Sequence, residues 1–126
     1  MATITNQAAL SYNGVTTLSN IAVGELVEVL TATKTAADTT YTAGGVKTFV
    51  ISLVNSSAAA LTGLTVTDTL GSYTFSGNTL YPLTYVTGSL LYYVNGALQA
   101  TPTVTATAPL TVTGVTVPAG GSAMLI

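Results

Sequence analysis

The chain has 126 residues, of which 48% are apolar and only 5% charged, and its formal net charge is −2. Two lysines without any arginine cannot form a basic surface that follows a phosphate backbone, so we expect no nucleic-acid partner. Because cysteine and histidine are absent, thiolate metal sites and the usual nucleophile–base pairs are excluded, and we expect no cofactor, no metal and no enzymatic activity.

The opening segment alternates in polarity with the period of a β-strand. Asn13-Gly14 follows it and predicts a tight hairpin, because both central residues of a type I′ turn need positive φ. A returning strand is expected over residues 15–22, with Gly24 ending it. We therefore predict an N-terminal strand or hairpin arm over residues 1–24. One face of its first strand carries Ile4, Asn6, Ala8, Leu10 and Tyr12.

Alternation of apolar and polar residues, interrupted by turn signals, continues through residues 25–126. We assign these residues to one domain. Asn95-Gly96 predicts a second hairpin, and Pro102 and Pro109 limit the segment between them to a short or edge strand. Many short strands of this kind are typical of an all-β sandwich. Extended segments are predicted at residues 25–35, 47–55, 61–68, 89–94, 97–100, 110–117 and 123–126, with residues 71–87 irregular.

Several segments in this order resemble a known family. They are Thr33-Lys34-Thr35, Tyr41-Thr42-Ala43-Gly44-Gly45, Thr48-Phe49-Val50-Ile51-Ser52-Leu53-Val54-Asn55, Leu61-Thr62-Gly63-Leu64-Thr65-Val66-Thr67-Asp68-Thr69-Leu70 and Val117-Pro118-Ala119-Gly120-Gly121-Ser122-Ala123. Together they are similar to the domain of unknown function 11 family of bacterial and archaeal surface repeats. The resemblance implies an immunoglobulin-like β-sandwich and structural or adhesive work rather than a reaction.

The sequence departs from that family at two places. Gly45 stands where members usually carry an acidic residue. Members also continue past the late turn into closing strands with an Ile-x-Asn-x-Ala pattern. Here that pattern occurs at the start of the chain, as Ile4-Thr5-Asn6-Gln7-Ala8. We therefore expect a sandwich that lacks a strand at one end and carries a spare strand at the other.

Three interpretations of this mismatch stay open. The arm fills the open edge of a neighbouring copy, it folds back onto its own domain, or the chain belongs to a longer tandem array whose missing strands follow Ile126. In the first interpretation the arm face named above is the donor, and donation repeats head to tail to give a homopolymer. The expected acceptor consists of Phe49, Ile51, Leu53, Ala123, Met124, Leu125 and Ile126.

The function expected from the sequence is that of a structural, fimbrium-like subunit of an extracellular or surface filament, located outside the cell or on a cell or spore surface. The alternative is a module of a tandem-repeat adhesin or stalk that binds a ligand or host partner. A third class, a sugar-binding module, would need an exposed platform of tyrosines, for which the candidates are Tyr73, Tyr81, Tyr85, Tyr92 and Tyr93. No apolar run approaches the roughly 20 residues that span a bilayer, so we expect no membrane insertion. We also expect no signal peptide, since no basic segment precedes an apolar one at the start.

Lys34 suggests one chemical hypothesis. Some surface sandwich domains crosslink a lysine to an asparagine with the help of a buried carboxylate. The residues of the right types are Lys34, with Asp68 or Glu28, and Asn55 or Asn6. The alternative is that Lys34 protects an exposed edge strand from pairing.

Overall fold

Residues 3–126 are described by a computed structural model, in which they form β-strands and turns without any helix. Residues 1–2 of the predicted arm lie outside the described residues. The strands are β1 (Thr3–Asn6), β2 (Ala9–Tyr12), β3 (Val15–Leu18), β4 (Ala22–Glu25), β5 (Leu30–Ala36), β6 (Phe49–Asn55), β7 (Leu61–Asp68), β8 (Tyr73–Phe75), β9 (Asn78–Leu80), β10 (Tyr92–Val94), β11 (Ala97–Gln99), β12 (Thr103–Thr107), β13 (Leu110–Val117) and β14 (Ser122–Leu125).

Two sheets enclose the core. A five-stranded sheet has the order β11-β10-β14-β6-β5, and a three-stranded sheet has the order β12-β13-β7. Apolar side chains from both sheets pack between them, as the alternation predicts. The expectation of an all-β, sandwich-like fold is therefore confirmed. The buried core consists of Leu53, Leu90, Tyr92, Val112, Val115, Val117, Ala123 and Leu125.

Strand β13 shows how local irregularity keeps a strand in register with the core. Val112 and Val115 are both buried although they are three residues apart, which would place them on opposite faces of a regular strand. Gly114 takes a φ of +81°, and the register with β7 shifts between Thr113 and Val115. This β-bulge turns Val115 back towards the core.

The last strand does not form an open edge. β14 lies inside the five-stranded sheet, where Ala123 pairs with Val94 of β10 on one side and with Leu53 of β6 on the other. Ala123 and Leu125 are buried. The prediction of an unfinished seam along this strand is therefore wrong, because both of its hydrogen-bonding sides are already occupied.

The other predicted strands differ less from those in the structure. The strands predicted at residues 61–68 and 110–117 are confirmed, as is the Asn95-Gly96 hairpin between β10 and β11. The strand predicted from residue 25 begins only at Leu30, and the region predicted to be irregular contains the β8–β9 hairpin. Its turn uses Ser76 and Gly77 with φ of +48° and +78°.

The arm is a single long hairpin made of two ladders. β2 pairs with β3 around Asn13 and Gly14, whose φ values are +49° and +77°, and β1 pairs with β4. Three residues on the returning strand oppose two on the first between the ladders, where Ser19 Oγ accepts a 2.9 Å hydrogen bond from the Ala8 amide. Gly24 does not end the return as predicted. It lies within β4 against Ile4, and the hairpin extends to Glu25.

Candidate functional site

The arm exposes most of its apolar surface. Ile4, Leu10 and Tyr12 have 75%, 71% and 75% of their surface exposed. In the described chain, no arm residue belongs to the core of the sandwich, and the strands of the arm contact mainly one another. Exposed apolar side chains grouped in this way are typical of interaction surfaces.

The two faces of the hairpin differ in chemistry. Residues directly opposite each other in a ladder share a face. Leu10 therefore shares a face with Thr17, and Tyr12 shares that face with Val15. The opposite face contains Ser11, whose hydroxyl lies 3.0 Å from that of Thr16. Its members are mostly polar: Thr3, Thr5, Ala9, Ser11, Thr16, Leu18, Val23 and Glu25.

An open groove runs along one side of the sandwich. It lies between β5 of the five-stranded sheet and β7 of the three-stranded sheet, and its volume is about 500 Å³. Among the strands of residues 3–126, β5 pairs with β6 alone and β7 pairs with β13 alone. Two unpaired strand edges therefore border the groove on the same side. Its apolar lining comes from Leu30, Ala32, Ile51, Leu53, Leu64 and Val66.

The groove contains only part of the acceptor predicted from the sequence. Ile51 and Leu53 line it, and Phe49 lies beside its charged end. Ala123 and Leu125 are buried in the closed interior, and Ile126 exchanges backbone hydrogen bonds of 2.9 and 3.0 Å with Leu91. Met124 pairs with Tyr93 and Ser52, in a ladder that is occupied on both sides. The four C-terminal residues therefore do not line the groove.

Sequence reasoning missed the other wall of the groove. Leu64 and Val66 are half-buried on β7, the strand that borders the groove from the three-stranded sheet. Their alternation indicates an inward face, but it does not indicate that β7 is an edge strand. That property depends on strands far away in sequence, and so no local signal identified this wall.

A salt bridge closes one end of the groove. Lys34 Nζ lies 2.6 Å from Asp68 Oδ2 and 4.4 Å from the centre of the Phe49 ring. The two side chains are 37% and 11% exposed, so solvent screens the pair in part. Asp68 Oδ1 also accepts a 2.9 Å hydrogen bond from the Leu70 amide. The pair therefore joins β5 to β7. Lys34 also lies on an edge strand, where the alternative interpretation placed it.

Asn55 lies elsewhere and has a structural role. It is fully buried, and its Nδ2 donates hydrogen bonds to the carbonyls of Ala59, Val117 and Pro118 at 2.8, 3.3 and 3.0 Å. Asn55 is paired with Leu30, whereas Lys34 is paired with Ile51, which lies four residues before Asn55 in β6. That offset is roughly 13 Å along a strand. The predicted Lys34–Asp68–Asn55 crosslinking group is therefore wrong, since only its first two members meet.

Three other kinds of site can be sought in the described residues: a metal site, a membrane span and a tyrosine ligand face. No cluster of three or more His, Cys, Asp or Glu side chains within residues 3–126 has the geometry to hold a metal ion. No helix in this part of the chain is long and apolar enough to cross a membrane. Of the tyrosines predicted as a ligand face, Tyr92 is buried and its hydroxyl donates a 2.7 Å hydrogen bond to the carbonyl of Thr116, whereas Tyr73 and Tyr81 are exposed.

Fold and site together define an all-β, sandwich-like protein with an amphipathic arm and an open apolar groove. Neither a family model, nor a curated protein, nor a solved structure matches the chain. The resemblance to the surface-repeat family and an immunoglobulin-like strand order remain predictions from the sequence.

Proposed function

We propose that this protein is a structural subunit that polymerises head to tail, each copy placing its N-terminal arm in the groove of the next. The observation that carries the proposal is that one chain has two uncovered apolar surfaces. The arm exposes an apolar face of the hairpin, and the groove exposes apolar side chains between two unpaired strand edges.

Strand addition would cover the apolar face of the arm and the apolar groove in a single contact. An added strand makes backbone hydrogen bonds with an open sheet edge, and its alternate side chains enter the space beneath. Burial of Ile4, Leu10 and Tyr12 stabilises the contact by about 1.5–3 kcal/mol each, before the cost of association. An unpaired edge strand that remains exposed would instead invite irregular aggregation.

The contact is heterologous, because the arm and the groove are different surfaces of the same chain. A heterologous contact generates a closed ring or an open helical filament, depending on the rotation between successive copies. We propose the filament. Surface placement outside the cell and an immunoglobulin-like sandwich belong to the same proposal. They rest on the resemblance to surface repeats and on a composition with few charged side chains.

Electron microscopy and size-exclusion chromatography of the purified chain test this function. We expect regular polymers from the full chain and none from a variant lacking residues 1–25, because removal of the arm leaves the groove without a donor. A full chain that stays monomeric at high concentration would contradict the proposal. It would favour the alternative of a module in a tandem surface adhesin or stalk.

A further inference from the structure

The two sheets of the sandwich are unequal in size, and the difference equals the number of strands across the arm. Five strands form one sheet and three form the other, and both outer strands of the larger sheet, β5 and β11, are exposed at nearly every residue. All residues of β5 except Leu30 are exposed. Between Thr3 and Glu25 the arm is two strands wide. Added to the smaller sheet beside β7, it would bring that sheet to five strands and cover the β5 side of the larger sheet.

Of the two unpaired edges beside the groove, β5 and β7, only β7 allows the arm to extend the smaller sheet. A strand added to β5 would widen the sheet that is already larger and leave the groove open. A strand added to β7 would lie directly over the groove, so that its inward side chains contact Leu30 and Ile51. The first strand of the arm is suited to this position, since its other side is already paired with the returning strand.

The positions of polar residues on the arm and on β7 then determine the direction and the register in which the two strands pair. The inward residues of β7 are Leu64, Val66 and Asp68, so the wall is apolar except at the end where Asp68 meets Lys34. The apolar face of the arm is interrupted by a single amide, Asn6. Antiparallel pairing with Asn6 opposite Asp68 places this amide beside the salt bridge.

The same pairing matches the remaining side chains. It sets Ala8 opposite Val66 and Leu10 opposite Leu64, because positions advance in opposite directions along antiparallel strands. A parallel arrangement that kept Asn6 at Asp68 would leave Leu10 beyond the end of β7. An antiparallel shift of two residues would place either Ile4 or Ala8 against Asp68.

From this placement we infer that the partner of the groove is the arm of a second copy, joined antiparallel to β7 with Asn6 opposite Asp68. The inference rests on the proposed function and specifies its contact. The completed sheet would have the order β12-β13-β7 followed by the first and returning strands of the partner's arm. The mostly polar face of the hairpin would then form the outer surface.

Disulfide mapping on the full chain tests the register. The chain has no native cysteine, and a directly opposed cross-strand pair lies within disulfide range. In the inferred register Ala9 lies opposite Thr65, and both face outwards. We expect oxidised polymers of Ala9→Cys/Thr65→Cys to give a ladder of linked chains on a non-reducing gel. The control Thr5→Cys/Thr65→Cys, four residues out of register, should give at least ten-fold less.

The outcomes separate the inference from the proposed function. Filaments with equal or stronger crosslinking in the control would overturn the register and leave the function standing. Crosslinks confined to single chains would show that the arm occupies its own groove, which overturns both. Amide hydrogen exchange on the unmodified chain gives a second measurement. Polymer formation should protect residues 61–68 but not the opposite edge of the same sheet, residues 103–107, and equal protection of both would contradict the inferred contact.

Discussion

Asn55 holds three segments of the sandwich together. Its amide nitrogen donates to the turn after β6 and to the end of β13, and its Oδ1 accepts hydrogen bonds from the backbone amide and the hydroxyl of Ser57 at 3.0 and 2.7 Å. Because the side chain is fully buried, water cannot replace these bonds when they are lost.

Replacement of Asn55 by alanine should therefore be costly. We expect Asn55→Ala to lower the free energy of unfolding by about 2–4 kcal/mol, since several buried polar groups lose their partners. Chemical denaturation measures this loss. Asn78→Ala is the matched control, because the Asn78 side chain is exposed and makes one bond of 3.4 Å. Equal effects of the two substitutions would contradict the assigned role of Asn55.

Lys34 should contribute little to stability in the subunit, although its salt bridge is short. The lysine is more than a third exposed, and ion pairs of this kind typically contribute less than about 1 kcal/mol. We expect Lys34→Met to change the free energy of unfolding by no more than that. The intact mass of the unmodified protein should equal the value calculated from its sequence. A mass lower by one ammonia would instead show a lysine–asparagine crosslink.

Among the structural elements, the arm allows the two faces of one hairpin to be compared directly. Each face carries an exposed leucine, but only one of the faces is proposed to enter the groove. Leu10 lies on the face proposed to enter the groove, and Leu18 lies on the opposite face, paired with Ala9. Both are well exposed in the subunit. A charge at either position should therefore leave the stability of the monomer nearly unchanged.

We expect Leu10→Asp to abolish polymer formation, because it places a carboxylate in an apolar groove. Leu18→Asp should leave polymer formation largely intact, since that side chain would face solvent. Sedimentation velocity measures the polymer fraction of each variant. Loss of polymers in both variants, or in neither, would count against an interface that uses one face of the hairpin.

The elements also show how far sequence reasoning reached. Alternating polarity correctly predicts the strands Leu61–Asp68 and Leu110–Val117, and the Asn-Gly pairs correctly predict two hairpins. These predictions succeed because the signals are local in sequence. The sequence pattern predicts a strand at residues 26–29, but these residues have no ladder partner in the described chain. Whether a strand lies at an edge or in the centre is set by distant strands. For this reason the local pattern wrongly predicts an edge position for β14 and does not identify β7 as an edge strand.

At the scale of the whole molecule, the chain has a three-stranded sheet packed on a five-stranded one, and an amphipathic hairpin that is two strands wide. The charge of the chain is too low to hold copies apart by repulsion, since the net charge is only −2. Association is therefore governed by which surfaces fit. The proposed heterologous contact between arm and groove would cover the apolar side chains of the arm, which its own sandwich leaves exposed.

Electron cryomicroscopy of the purified polymer, at a resolution that traces individual strands, tests the central claim most directly. We predict density for the arm of one copy beside β7 of the next, completing a five-stranded sheet over the groove. A polymer in which β7 remains unpaired, or in which each arm lies against its own sandwich, would contradict the account.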